Sequence, residues 1–343
     1  METALKLAII GANGLITESL LAAIDEHPSL TGEVSLLGTG ASLDHTVEFG
    51  HQTLLVGDLA HCDFSEFQIV IDSSEEVNAG QEWLAQAQQA GCLILDVGGH
   101  LARHSLIPPV VSGVNDAALD QVERGDIVVL PDAAVVQSAR LLKPVMDRAG
   151  LARVNLFSCH AVSELGRAGV EEMARQTGQM LNGKPARAVL FPKQMAFNLL
   201  PRSTNADGTA GEDRASAIAE MLQRVLGAPD LPVTVSCCWA PVFYGHTQAL
   251  HISTRQEMDL KALKRIFTQS PLIEVKGGER DLPSVVTDAS GRDMLTVGGL
   301  CANAKNSTDF SLWGVADNLR YGIAGNAVKI IEVLVKRLSI SYS

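Results

Sequence analysis

The sequence predicts an α/β chain in which a parallel-sheet unit is followed by an α+β unit. Three observations carry that reading. Short apolar runs alternate with helical patterns through the first part of the chain, the signature of strands joined by crossover helices. A Gly-containing turn stands between the first run and the first helical pattern. Beyond about residue 150 the alternation gives way to longer strand-like runs and separate helices.

The elements follow in order. Strands are expected at Leu5–Ile10, Glu33–Leu37, Gln68–Asp72, Leu93–Asp96 and Ile127–Leu130. Helices are expected at Thr17–Glu26, Asn78–Gln89 and Ala134–Arg148. Leu15, Ile16, Leu20, Leu21 and Ile24 recur at helical spacing and support the first of these. In the second part, strand-like runs lie at Val154–Val162, Val189–Phe191, Val233–Pro241 and Gln248–Ile252. Helical stretches lie at Val170–Leu181, Ala215–Leu226 and Glu257–Gln269. Ser203–Asp213, rich in Gly, Asn, Asp and Thr, reads as a loop and a candidate flap. The last helical pattern runs from Asn318 to Arg337 and is expected to pack back on an earlier unit.

Composition narrows the function. A chain of 343 residues with 46% hydrophobic and 19% charged residues suits a two-domain globular protein. A net charge of −12 repels phosphate backbones and anionic lipids, so neither nucleic acid nor membrane is an expected partner. No apolar run spans a bilayer, and Met1 leads into a strand pattern without a signal-peptide layout. Six cysteines without a Cys-x-x-Cys pair suit reduced thiols, and the expected location is the cytoplasm.

The turn Gly11-Ala12-Asn13-Gly14-Leu15-Ile16-Thr17 joins a strand to a helix. Gly11 would allow the tight turn, and Gly14 would bring backbone N–H groups to a pyrophosphate at the helix N-terminus. Thr17 stands at the third glycine position, where it would also serve to cap the helix. The second strand runs into Gly38-Thr39-Gly40-Ala41-Ser42-Leu43-Asp44, with Asp44 the nearest acid for a ribose hydroxyl.

Several blocks together resemble the aspartate-semialdehyde dehydrogenases. They are Gly11-Ala12-Asn13-Gly14, Val162-Ser163, Gly166 to Glu172, Phe191 to Asn198, Pro241 to His246, and Trp313 to Arg320 with Asn326-Ala327-Val328. The resemblance implies a Rossmann-like nucleotide-binding domain, residues 1–132 and 314–343, with the C-terminal helix packing back. It also implies an α+β catalytic and dimerisation-type domain, residues 133–313. NAD(P) is the implied cofactor, with Gly11, Asn13, Gly14 and Asn318 as its contacts. The implied partner is a second copy of the chain, and a heteromer with an active dehydrogenase stays open.

The same resemblance places Ala133, in Leu130-Pro131-Asp132-Ala133-Ala134-Val135-Val136-Gln137, where the family has its nucleophilic Cys. A methyl group forms no thiohemiacetal. His160 replaces an orienting Gln, and Trp239 replaces a substrate-binding Arg. Ala41 stands where an Arg would take a 2′-phosphate. Gly98-Gly99-His100-Leu101-Ala102 replaces a phosphate-side Ser-Ser-Ala-Phe-Arg, with Arg103 adjacent. Ser74-Glu75-Glu76 replaces Ala-Gly-Gly. Glu212 and Arg214 lie near a substrate-contacting Glu and Lys segment. His246 matches the catalytic histidine, as a general base or as a histidine buried with a backbone partner.

Cys159 is the candidate for a relocated nucleophile, but on a strand it faces away from His160. His45, His51 and His61 lack metal-ligand spacing, and no metal is expected. Glu75-Glu76 and Glu171-Glu172 read as solvated helix ends rather than paired catalytic acids. The reading is a catalytically inactive, Usg-type paralogue with a vestigial pocket of Ala133, His160, Trp239 and His246, serving a binding or scaffold role. Two alternatives stand beside it: an active NAD(P)-dependent semialdehyde oxidoreductase of amino-acid biosynthesis with a non-standard site, and a nucleotide-sensing module.

Overall fold

The structure is a computed structural model describing residues 5–30, 32–74, 82–101, 105–202, 214–278 and 281–338. The chain divides into two compact units, residues 1–131 with 323–343, and residues 132–322.

In the first unit the elements are β1 (Lys6–Ile10), α1 (Leu15–Asp25), β2 (Glu33–Gly38), β3 (Thr46–Phe49), β4 (Gln52–Asp58), β5 (Ile69–Asp72), α2 (Glu82–Gln89), β6 (Leu93–Asp96) and β7 (Ile127–Val129). They form a seven-stranded sheet of order β3-β4-β2-β1-β5-β6-β7. All neighbours pair in parallel except the hairpin β3–β4 at one edge. Both faces are covered, which is why the inner strands are largely apolar. Leu7 and Ile9 point to a core shared with Leu20 and Ile24 of α1 and with Ile330, Ile331 and Leu334 of the last helix. Ala8 and Ile10 point the other way, to Trp83, Leu84 and Ala87 of α2.

The second unit opens with α3 (Ala133–Ala149), followed by β8 (Leu151–His160), α4 (Gly166–Leu181), β9 (Leu200–Pro201), α5 (Arg214–Val225), β10 (Val233–Trp239) and β11 (His246–Thr254). It continues with α6 (Leu260–Thr268), β12 (Ile273–Val275), α7 (Val285–Asp288), β13 (Leu295–Asn303) and β14 (Asn306–Ala316). These strands make a mixed sheet of order β12-β13-β14-β11-β8-β10-β9. One face buries Val154, Leu156, Leu250, Ile252 and His160. The other is open, with Phe157 and Trp313 about 40% exposed on either side of Ala249 in one register row.

Several expectations are corrected. Val189–Phe191 is not a strand, because the N–H groups of Val189 and Leu190 donate to the Glu172 carboxylate at 2.9 and 2.6 Å. Glu172 is therefore no solvated helix end; it is buried within α4. Residues Gly314–Ala316 complete β14, paired with β11, and so belong to the second unit rather than the first. The final pattern is a π-helical segment, Asn318–Ala324, followed by α8 (Gly325–Leu338), and only Ile323 onward joins the first unit. Residues 203–213, the expected flap, lie outside the described residues, as do Glu75, Glu76 and Arg103. Among the described residues no helix is long and apolar enough to cross a membrane.

Candidate functional site

In the first unit the strand–turn–helix connection at Gly11 is closely fitted. Gly11 has φ +103°, and a Cβ there would meet the Ser74 backbone nitrogen at 2.8 Å. Only glycine meets both demands. Thr17 does not cap α1. It is fully buried, its hydroxyl donates to the Gly11 carbonyl, and its Oγ1 lies 2.8 Å from the Ser73 hydroxyl. The residue before α1 is Gly14, so no side chain caps the first turn. N–H groups left without a side-chain cap beside a Gly turn suit a pyrophosphate, so Gly11, exposed Asn13 and Gly14 fit that group. Ala41 lies in a short 3₁₀ turn, and Asp44 is exposed with φ +64°. Asn318 is occupied elsewhere: its Oδ1 accepts from the Gly245 N–H at 2.8 Å, and its amide pairs with Ser163. Its side chain braces the turn before His246.

In the second unit Ala133, His160, Trp239 and His246 are all buried. Ala133 is the first residue of α3, behind an Asp132 whose carboxylate accepts from the Ala134 N–H at 2.6 Å. That cap is the reason the helix starts here. A Cβ added to Gly322 would come within 2.6 Å of the Ala133 methyl, so little room surrounds it. Gln248 on β11 fixes the same turn by donating to the Ala134 carbonyl at 2.8 Å.

His160 and Trp239 are register partners on parallel β8 and β10, with ring centroids 6.2 Å apart. Trp239 also meets Phe191 edge-on at 5.7 Å. The His246 ring lies 4.6 Å from that of His160. His246 Nδ1 accepts from the Ala161 N–H at 3.2 Å, so its proton is on Nε2, 3.6 Å from Glu164.

The centre of this arrangement is Glu164, which the sequence reading did not single out. His160 Nδ1 donates to its Oε2 at 2.6 Å. Arg202 Nη1 reaches both of its oxygens at 2.6 Å, and Arg214 reaches Oε1 at 3.1 Å. Arg214 also pairs with Asp132, extending the chain of charges back to the start of α3. The Arg202 guanidinium stacks 4.2 Å from the Trp239 ring centroid. Burial alone would raise the Glu164 carboxyl, but Arg202 and His160 outweigh it and hold it far below the usual carboxylate range. No sequence signal linked Glu164 to Arg202 and Arg214, because three separate segments bring them together.

A general base needs an acid to deprotonate, and the residue at the start of α3 offers a methyl. His160, Glu164 and His246 have ligand atoms within 4.8 Å of one another. A metal ion there would share one carboxylate with two guanidinium groups, and their charge opposes it. His45, His51 and His61 are exposed, and His61 pairs with Asp58. Cys159 is half-exposed on the open face of the sheet, opposite His160. A cavity of about 420 Å³ opens on the ends of β8, β11, β13 and β14, beside Arg153, Asn155, His251 and Asp309, away from the cluster.

Burial, reinforced by His160, keeps the His246 imidazole well below its ordinary 6.5, hence neutral. The folded state therefore binds fewer protons than the unfolded state once pH falls below 6.5, and stability present above that pH is lost on acidification. The loss is expected to reach up to about 1.4 kcal/mol per pH unit for this one group. Urea unfolding of the wild type and His246→Gln at about pH 7 and about pH 5.5 checks it, since the variant should show the shallower decline.

Comparison with known proteins agrees with this layout. Residues 6–122 match the family model described as semialdehyde dehydrogenase, NAD binding domain, and residues 142–321 match semialdehyde dehydrogenase, dimerisation domain. An Azotobacter vinelandii protein described as a USG-1 protein homolog is 32% identical, covering 98% of this chain and 99% of its own. Aspartate-semialdehyde dehydrogenase 2 of Vibrio cholerae is 33% identical over the same shares. The crystal structure of aspartate semialdehyde dehydrogenase II from Vibrio cholerae, complexed with ASA, superposes with a TM-score of 0.89 at 33% identity, covering 97% of this chain and 98% of that one. In both units, and from end to end, this chain belongs to the semialdehyde dehydrogenase family.

Proposed function

We propose that this chain is a catalytically silent member of its family, a homodimeric binding or scaffold protein of a reducing cytoplasm that keeps a dinucleotide turn. The observation that carries the reading is the state of the cluster at the start of α3. Ala133 supplies no nucleophile, and the carboxylate of Glu164 already takes up Arg202, Arg214 and His160. Cations already paired from within have less to offer an incoming carboxylate or phosphate. Cys159 does not replace the thiolate: its hydrogen bond to Cys238 and its burial push its thiol far up. Trp239, wedged against Phe191 and Arg202, fills volume that a polar substrate would need.

The dimer rests on the match of residues 142–321 to a dimerisation domain. Nicotinamide dinucleotide binding rests on the match of residues 6–122 and on the uncapped first turn of α1 behind Gly11. When bound, that group would accept or donate hydride; here only its pyrophosphate has an evident place.

The test is phosphate-dependent NADP reduction with aspartate semialdehyde, at high protein concentration, alongside calorimetric titration with NAD and NADP. No turnover with saturable nucleotide binding is the expected result. Turnover that survives further purification and disappears in Cys159→Ser would replace the proposal with an active enzyme.

A further inference from the structure

The parallel pairing of β8 with β10 sets Cys238 directly against Cys159. Register partners on neighbouring strands project to the same face, and these two Sγ atoms are 3.6 Å apart. Neighbouring strands lie about 4.7–4.9 Å apart, inside the range of Cα separations that a disulfide bridges, about 4.4–6.8 Å. Small side-chain rotations therefore close the bond without moving the strands. Access is graded, since Cys159 is half-buried and Cys238 is buried. Burial of this degree favours a small oxidant over a protein thiol.

The two sulfurs differ in readiness. The hydrogen bond it shares with Cys159 draws the Cys238 thiol down to about 7, against its burial and with help from His160. Burial pushes Cys62 and Cys92 up to about 11 instead. Cys237, next in sequence, faces the other way and reaches the Arg202 carbonyl at 3.5 Å.

We propose that Cys159 and Cys238 form a dithiol site that a small hydroperoxide oxidises to an intramolecular disulfide. The Cys238 thiolate attacks the terminal peroxide oxygen and the O–O bond breaks. Cys238 becomes a sulfenic acid, and the departing alkoxide takes up the proton that Cys238 had lost. The Cys159 sulfur then attacks the Cys238 sulfur, the S–O bond breaks, and the hydroxyl leaves as water with the Cys159 proton. Two electrons pass from the thiols to the peroxide, giving one disulfide, one alcohol and one water. A disulfide of this kind in a reducing compartment is a sensing or transient bond rather than a structural one.

The experiment exposes reduced full-length protein to hydrogen peroxide, blocks free thiols with a maleimide, and maps the peptides by mass spectrometry. The expected result is a loss of about 2 Da, with a Cys159–Cys238 cross-link that a reductant reverses. Cys237→Ser should keep that cross-link, and Cys159→Ser should leave a sulfenic acid on Cys238 that dimedone captures. Recovery of Cys159 and Cys238 both maleimide-labelled, in wild-type protein whose exposed Cys301 has been oxidised, would overturn the proposal. A cross-link through Cys237 would do the same.

Discussion

Glu164→Ala is expected to lower the unfolding free energy by about 3–5 kcal/mol, the cost of leaving buried opposite charges without their partner. The carboxylate receives Arg202 on both oxygens, Arg214 on one and His160 on the other, with Arg202 itself only 12% exposed. Removing it leaves the Arg202 guanidinium and a histidine donor without their buried partner, while Arg214 keeps its pair with Asp132. Glu164→Gln should cost less, because the amide oxygen still accepts. Denaturant unfolding of both variants checks the order, and equal losses would show that charge rather than shape holds the cluster together.

Trp239→Ala is expected to cost a similar amount, about 3–5 kcal/mol, as for other large aromatic deletions in cores. The indole is 3% exposed and packs with Phe191, Met173, Met195 and Val162. It also lies under the Arg202 guanidinium, so its loss loosens the cation that holds Glu164. The two substitutions should therefore be non-additive, the double variant losing less than the sum. Thermodynamic cycles over the four proteins measure that coupling, and strict additivity would separate the aromatic packing from the ion pairs.

Much of the first unit was legible because its strands are buried on both faces and read as unbroken apolar runs between turn signals. The edge hairpin was not. Thr46–Phe49 and Gln52–Asp58 mix polar with apolar residues, as expected of strands facing solvent on one side. In the second unit β13 and β14 escaped notice because Gly298, Gly299, Asn303 and Asn306 carry loop chemistry inside strand territory. Val189–Phe191 misled in the opposite direction, since its apolar composition gave no hint that Glu172, a side chain from α4, would satisfy its backbone. At the site the four pocket positions lie in one unit, and the alternation that set Cys159 opposite His160 was readable from strand geometry alone. The ion-pair chain was not readable, because its members come from 132, 164, 202 and 214 and share no motif.

The first unit is written in two pieces, and that has a temporal meaning during synthesis. The core on one face of its sheet is completed by Ile330, Ile331 and Leu334, which are made after residues 132–322. At 5–20 residues per second, residues 132–322 keep the amino-terminal sheet waiting for roughly 10–40 s without the last helix on the face it shares with α1. The inserted unit, continuous in sequence, can complete its own fold in that interval. Order of synthesis and order of completion therefore differ in this chain: the middle unit is fully synthesised before the first unit has all of its core.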